Sequence, residues 1–292
     1  MSAFFFLLIL VLFSLLFFPL LTYALFWYEA GNSDYRLQLQ RDSEGRMATW
    51  ILRGLFSSIR SQIPIILFFP LGLFRRLWEP DAEEGPPFPP LILIHGLYHN
   101  PSAWLLFRAR LRRAGLKRIH VASYDSRRFS FQEIAEQVAG RLGEIGTMEG
   151  NKPVLLVGHS LGGLLAKAYA ARKEGLPGPA VKGIITLGTP FKGSKMTVFG
   201  LGRLARDISH NSGLIKELER MEVSAHTACA ALYSPVDNIV LPHDSLAAAP
   251  ENWIREKTAP ISHVAYLYDK STFNRVLVLL SQFAGSSDQN AK

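Results

Sequence analysis

From residue 91 onward, short apolar runs alternate with longer segments whose apolar residues recur at helical spacing. Runs of this length are typical of buried strands, and apolar residues three and four positions apart indicate helices with one buried face. The pattern predicts strands at residues 91–94, 119–124, 154–157, 181–187, 227–233 and 253–257. It predicts helices at residues 104–115, 131–145, 163–172 and 272–283. Residues 191–222, between two strands, are too long for a simple crossover.

The N-terminal segment has a different pattern, because residues 1–28 contain no charged side chain. A helix over residues 3–28 would be about 39 Å long, more than the ~30 Å hydrocarbon core of a bilayer. We therefore expect a transmembrane anchor over residues 1–28, with Tyr23, Trp27 and Tyr28 at one interface. A cleaved signal peptide is the alternative. The segment lacks its basic n-region and an A-x-A site before Glu29.

A second apolar stretch lies within residues 50–78, where prolines and arginines interrupt it. It is too short to span a bilayer as a straight helix, which favours an interfacial or re-entrant element with snorkelling arginines. An amphipathic helix packed on the following domain fits the same pattern. Arg36, Arg41 and Arg46 follow the first segment and favour a cytoplasmic C-terminal side, although a second span would reverse that orientation.

Candidate chemistry lies in the turn between the strand at residues 154–157 and the helix that follows. The turn reads Gly158-His-Ser160-Leu-Gly162, a G-x-S-x-G motif in the strand-to-helix context that gives it meaning. A reversal this tight leaves no room for Cβ atoms two positions either side of the serine. The turn exposes the Ser160 hydroxyl beside a helix N-terminus, so Ser160 is predicted to be a nucleophile rather than a helix cap.

Composition and charge narrow the expected partners. Apolar residues make up 48% of the chain and charged residues 19%, with the apolar excess at the N-terminus. A net charge of +8 suits nucleic acid or an anionic membrane surface. No nucleic-acid motif accompanies it, so the expected partner is a bilayer. The single cysteine, Cys229, excludes an intrachain disulfide and a thiolate zinc site, and its apolar surroundings predict a buried thiol. No cofactor or metal is implied.

Two further motifs accompany the turn. Residues 79–90 form an acidic, proline-rich linker that ends at the strand 91–94 and its His95-Gly96 dipeptide, and Gly188-Thr-Pro follows the strand at residues 181–187. With the GHSLGG turn, these motifs resemble the α/β-hydrolase family and its lipase/esterase branch. The resemblance covers residues 91–285. It implies an α/β fold, with a mostly parallel sheet between helices on both faces and a lid over about residues 191–222. The tail 286–292 is predicted to be disordered.

The resemblance also implies the site residues. In this family the turn after the His-Gly strand and the residue after the nucleophile donate the backbone N–H groups of the oxyanion hole, here Leu97 and Leu161. The family order of nucleophile, acid and histidine places the acid at Asp237 and the base at His263. The histidine of the His-Gly dipeptide is usually structural.

Other residues of the sequence are alternatives for the acid and the base. Asp244 and Asp125 are rivals for the acid, and His243 is the main rival for the base. His159 is excluded because successive side chains in the turn point apart. The arginines of the predicted helix after Pro101 (Arg108, Arg110, Arg112 and Arg113) suggest either a solvated face or a surface for anionic lipid headgroups.

The expected function is a membrane-anchored serine hydrolase that cleaves carboxylic esters, lipid acyl esters above all, through an acyl-enzyme intermediate. An acyltransferase or a thioesterase would use the same residues. From a different class, a membrane-tethered binding module without catalysis would require a degraded set of site residues, and every expected one is present.

Overall fold

One parallel sheet forms the centre of the molecule. The structure, a computed structural model, describes residues 3–78, 88–172 and 177–285. The strands are β1 Leu91–Ile94, β2 Ile119–Ala122, β3 Val154–His159, β4 Val181–Leu187, β5 Ala228–Tyr233 and β6 Ile254–Lys257. They pair in the order β2-β1-β3-β4-β5-β6, with every pair parallel. The predicted α/β fold is confirmed. Residues 79–87 of the predicted linker and the tail 286–292 lie outside the described residues.

Helices cover both faces of the sheet. In chain order they are α1 Ala3–Gly31, α2 Tyr35–Asp42, α3 Met47–Phe68, α4 Leu105–Arg113, α5 Phe131–Met148, α6 Leu161–Ala170, α7 Arg203–Asp207, α8 Gly213–Arg220, α9 Asp244–Ala247 and α10 Lys270–Gly285. Side chains alternate along each strand, so Ile92 and Ile94 pack with α5 and α6, whereas Leu91 and Leu93 pack with α4 and α10. Cys229 is a buried free thiol, as predicted.

Helix α1 is longer than predicted, and its C-terminal part packs on the domain that contains the sheet. Phe26 is completely buried, and it forms a small core with Tyr23, Leu39 and Val236. The Tyr23 hydroxyl donates to the carbonyl oxygen of Val236 at 2.9 Å. Tyr23 is therefore not an interfacial anchor, contrary to the sequence-based expectation, whereas Trp27 and Tyr28 are exposed.

Helix α3 lies along the domain with one face of small residues. Gly54, Ser58 and Ser61 are buried at helical spacing, while Leu52, Phe56 and Leu67 on other faces are exposed. Residues Met47–Leu73 are long and apolar enough to cross a membrane, a criterion of length and composition that packed helices also meet. The packed face agrees with the alternative of an amphipathic helix on the domain.

Two arginines of the basic helix α4 bind within the domain, unlike the solvated face or the lipid-binding surface that the sequence suggested. Arg108 is buried and donates to the carbonyl oxygen of Leu77 at 2.8 Å, beside the ring of Trp78. Arg110 donates to the carbonyl oxygen of Tyr268 at 2.9 Å. Both side chains bind backbone carbonyl groups of the domain, so these donors are not available for lipid headgroups.

Candidate active site

The candidate site lies where the strand order reverses, at the carboxyl ends of β1 and β3. In open parallel sheets this edge is the usual place for ligands. The G-x-S-x-G turn follows β3, with Ser160 at φ 55° and ψ −122°, a conformation rare outside glycine. A Cβ on Gly162 would lie 2.1 Å from the Ile94 carbonyl oxygen, and one on Gly158 would lie 2.4 Å from the Gly162 carbonyl oxygen. Gly158 thus allows the tight turn that the sequence predicts, and Gly162 allows the close approach of β1 to that turn.

Asp237 and His263 form a buried pair. His263 Nδ1 lies 2.8 Å from Asp237 Oδ2, and the aspartate is fully buried. Tyr266 also donates to Oδ2 at 3.1 Å, while the backbone N–H groups of Ile239 and Val240 donate to Oδ1 at 2.9 and 3.0 Å. Burial alone would raise the pKa of Asp237, but His263 and the two backbone donors hold it below its ordinary value. The aspartate is therefore ionised at neutral pH.

Ser160 and His263 line the same cavity, whose volume is about 370 Å³. The Ser160 hydroxyl makes no hydrogen bond to another described residue. The backbone N–H groups of Leu97 and Leu161 likewise donate to no described acceptor, and Leu97 and Gly96 line the cavity. The structure thus brings a serine, a histidine held by a carboxylate, and free amide donors to one place.

The rival residues have other partners. Asp244 is exposed and pairs with Lys192 at 3.3 Å, and Asp125 pairs with Arg127 and Arg128. The His243 ring stacks on Tyr35, with its Nε2 atom 3.1 Å from the Ser234 carbonyl oxygen. Burial lowers the pKa of His243 to about 4, so its ring is neutral and structural.

His95 is also structural. It is completely buried, stacks on Tyr124 and has its pKa lowered to about 4 by burial. His159 Nε2 donates to the His263 carbonyl oxygen at 3.0 Å, which places its ring proton on Nε2. Burial lowers the pKa of both rings, so neither histidine is suited to take the proton of Ser160.

Several residues that line the cavity have no recognisable signal in the sequence. His99 stacks on His159 and lines the cavity, and its Nδ1 atom is buried without a partner among the described residues. Gln62 of α3 also lines the cavity with a buried, unpartnered Nε2 atom. Phe18 of α1 forms another part of the wall. Gln62 and Phe18 are distant along the chain from the motifs, and nothing in the sequence placed α1 and α3 beside Ser160. His99 closely follows the His95-Gly96 dipeptide, but nothing in the sequence showed that it lines the cavity.

The segment 191–222, predicted as a lid, forms one wall of the cavity. Met196, Phe199 and Ile208 line it from a 3₁₀ turn and from the end of α7. In the described part of the chain, no group of three or more His, Cys, Asp or Glu side chains is placed to hold a metal ion.

Fold and site together define a doubly wound α/β protein with a serine on a sharp strand-to-helix turn. A model of the alpha/beta hydrolase family matches residues 91–283, so the chain belongs to the α/β-hydrolase family. No curated protein matches the chain. Among solved structures, the mature form of lipase BlEst2 from Bacillus licheniformis is similar, with a TM-score of 0.55 and 18% identity over 70% of this chain and 96% of that one. Aspergillus fumigatus lipase B aligns with a TM-score of 0.57 and 18% identity, over 70% of this chain and 55% of that one. At this identity the likeness shows the fold.

Proposed function

We propose that the protein hydrolyses carboxylic esters of lipids at a membrane surface, through an acyl-enzyme intermediate on Ser160. The observation that carries the proposal is the meeting of Ser160, the Asp237–His263 pair and the free amide of Leu97 around one cavity. Family membership and the lipases among the solved structures of the same fold support it.

The geometry suggests a division of roles. Asp237 accepts the Nδ1 proton of His263, which leaves Nε2 free to take the proton of Ser160 as it attacks the ester carbonyl. The amides of Leu97 and Leu161 then donate to the oxyanion, and His263 returns the proton to the leaving alcohol. Water repeats the sequence to release the acid. The oxyanion and the charged imidazole form together and are neutralised together, so these residues can complete the reaction without a cofactor.

The cavity wall suggests the substrate. Most of it is apolar and suits an acyl chain, and its exposed rim includes Phe18, Ile66 and Phe199. The unpartnered atoms of Gln62 and His99 add polar positions to this wall, and each is costly to leave unpaired. An ester whose alcohol part carries further oxygens, such as a glyceride, would supply hydrogen-bond partners that a simple alkyl ester lacks.

The same rim suggests how the protein meets a bilayer. Phe13, Leu16, Phe17 and Leu20 of α1 are exposed, and residues 3–21 of the helix extend about 28 Å, close to the ~30 Å of a hydrocarbon core. A single-pass anchor of this length would seat the domain directly on the membrane, with the apolar rim and the exposed Phe56 and Leu67 of α3 against the lipid. Exposed Arg36, Arg41 and Arg46 favour the cytoplasmic side.

A substrate series tests the proposal. Full-length protein in detergent micelles should react with a fluorophosphonate at Ser160 and hydrolyse p-nitrophenyl esters, with an optimum chain length set by the cavity. Among natural lipids, it should turn over a monoacylglycerol with a higher kcat/KM than the methyl ester of the same acid. A folded protein that neither labels nor cleaves any of these esters would refute the assignment. A product with the acyl group on an added alcohol would instead indicate acyl transfer.

A further inference from the structure

We infer that the N-terminal helices α1–α3 position the acid and the base of the site, in addition to contacting a membrane. The inference rests on the function proposed above. These helices lie outside the segment 91–283 that matches the family, so the match assigns them no part in catalysis. Four of their hydroxyl groups nevertheless bind the two loops that carry Asp237 and His263. The residues concerned act through the loops and are positioning residues.

Two of the hydroxyls hold the backbone just before the acid. The Tyr23 hydroxyl of α1 donates to the carbonyl oxygen of Val236 at 2.9 Å, and that of Tyr35 in α2 donates to the carbonyl oxygen of Pro235 at 2.7 Å. Val236 is completely buried, as is Asp237 after it. Because Pro235 and Val236 are buried residues, their carbonyl groups would be costly to leave unpaired, and the two tyrosine hydroxyls hold this part of the loop in position.

A third hydroxyl reaches the histidine through one side chain. Thr22 Oγ1 donates within α1 to the Phe18 carbonyl oxygen at 2.9 Å and accepts from Asn238 Nδ2 at 2.7 Å. The other end of the same amide, Asn238 Oδ1, accepts from the backbone N–H of His263 at 3.1 Å. Thr22, Asn238 and His263 are all buried. A continuous chain of hydrogen bonds thus joins the apolar helix to the catalytic base.

The fourth hydroxyl acts on the same histidine loop from α3. Ser57 Oγ donates to the Gly54 carbonyl oxygen at 2.7 Å and accepts from the backbone N–H of Ser262, also at 2.7 Å. Ser262 directly precedes His263. The acid loop and the histidine loop are therefore both fixed to one helical unit, which sets the relative position of Asp237 and His263. Displacement of a catalytic group by about 1 Å costs up to about 100-fold in rate.

Removal of single hydroxyls tests this. With a soluble p-nitrophenyl ester in micelles, Thr22→Val should lower kcat about 5- to 10-fold with KM within twofold, because one buried hydrogen bond is lost from the positioning array. The acid limb of the kcat/KM profile should also move to lower pH, since a displaced carboxylate stabilises the charged imidazole less. Thr22→Ser should restore both. Tyr23→Phe should resemble Thr22→Val, whereas Tyr28→Phe, the same change at an exposed position of α1, should leave kcat unchanged.

A double-mutant cycle separates positioning from a general loss of stability. If Thr22 acts through Asn238, then Thr22→Val should have no further effect on kcat in an Asn238→Ala background. An equal loss in both backgrounds, or an unchanged kcat and pH profile in Thr22→Val, would overturn the inference. Should Thr22→Val fail to fold, the pair Tyr23→Phe and Tyr28→Phe decides it, with equal kcat values counting against it. A failure of the proposed function is distinct, because the unaltered protein would then show no fluorophosphonate labelling.

Discussion

Ser160→Ala should abolish ester hydrolysis, with kcat about 10⁴- to 10⁶-fold below that of the unaltered protein, because the nucleophile cannot be replaced by water at the same rate. Fluorophosphonate labelling should disappear as well. The fold should survive. The Ser160 hydroxyl has no partner among the described residues, and alanine keeps the Cβ atom on the turn. We therefore expect a melting temperature within about 2 °C of the original.

The turn offers its own structural control. Gly162→Ala would place a Cβ atom 2.1 Å from the Ile94 carbonyl oxygen, so it should lower the melting temperature along with the activity. Of these two variants, only Ser160→Ala should lose activity while its melting temperature is unchanged. Residual activity above about 1% in Ser160→Ala, with the melting temperature unchanged, would place the nucleophile elsewhere.

The part of the chain that carries the candidate site, residues 91–285, was predictable because its signals are local. Each strand is a short apolar run, and the glycines around Ser160 mark a turn that no other residue fits. Asp237 and His263 follow from the family order alone. What supports them is only partly visible in the sequence. Asn238 adjoins the acid and Tyr266 follows the histidine by three residues, yet their hydrogen bonds depend on how the loops fold.

The N-terminal helices α1–α3 were predicted less well, for a physical reason. Hydropathy indicates whether a helix prefers an apolar environment, but it does not show where along the helix the contact with the rest of the protein begins. Tyr23, Phe26 and Trp27 read alike as apolar residues near a membrane boundary, whereas the structure buries the first two against the domain and exposes the third. The polar residues carried the missing information, since Thr22 and Tyr23 bring hydroxyls into an otherwise apolar segment. A hydroxyl in such a segment usually has a protein partner.

Helix α3 illustrates the same limit. Its prolines and arginines suggested an interfacial element, and its row of Gly54, Ser58 and Ser61 allows close packing on the domain instead. One helix can have both an apolar exposed face and a packed face of small residues, because its opposite faces differ in sequence. Sequence composition averages over the faces, so it could not show that Gln62 lines the cavity of the site.

Asp237→Asn should reduce kcat about 10⁴-fold while leaving the backbone of the site in place. All four groups around the carboxylate are donors: the N–H groups of Ile239 and Val240 at Oδ1, and His263 and Tyr266 at Oδ2. The two backbone donors cannot change, so they will retain the oxygen of the asparagine and direct its NH₂ group towards His263. Nδ1 must then accept, which moves the ring proton to Nε2 and leaves the base unable to take the proton of Ser160.

The matched control is Asp244→Asn, the same change at an exposed carboxylate that pairs with Lys192, and its kcat should stay within twofold of the original. Stability should respond to pH differently in the two variants. Because the pKa of Asp237 is lowered in the folded chain, its carboxylate stabilises the fold above pH ~4, and that contribution is lost as the pH falls through the lowered value. In Asp237→Asn the melting temperature should therefore fall less steeply as the pH is lowered through the acid range. In Asp244→Asn this pH dependence should be unchanged. Near-full activity in Asp237→Asn would reassign the acid, and the loss of activity in Asp244→Asn instead would identify its replacement.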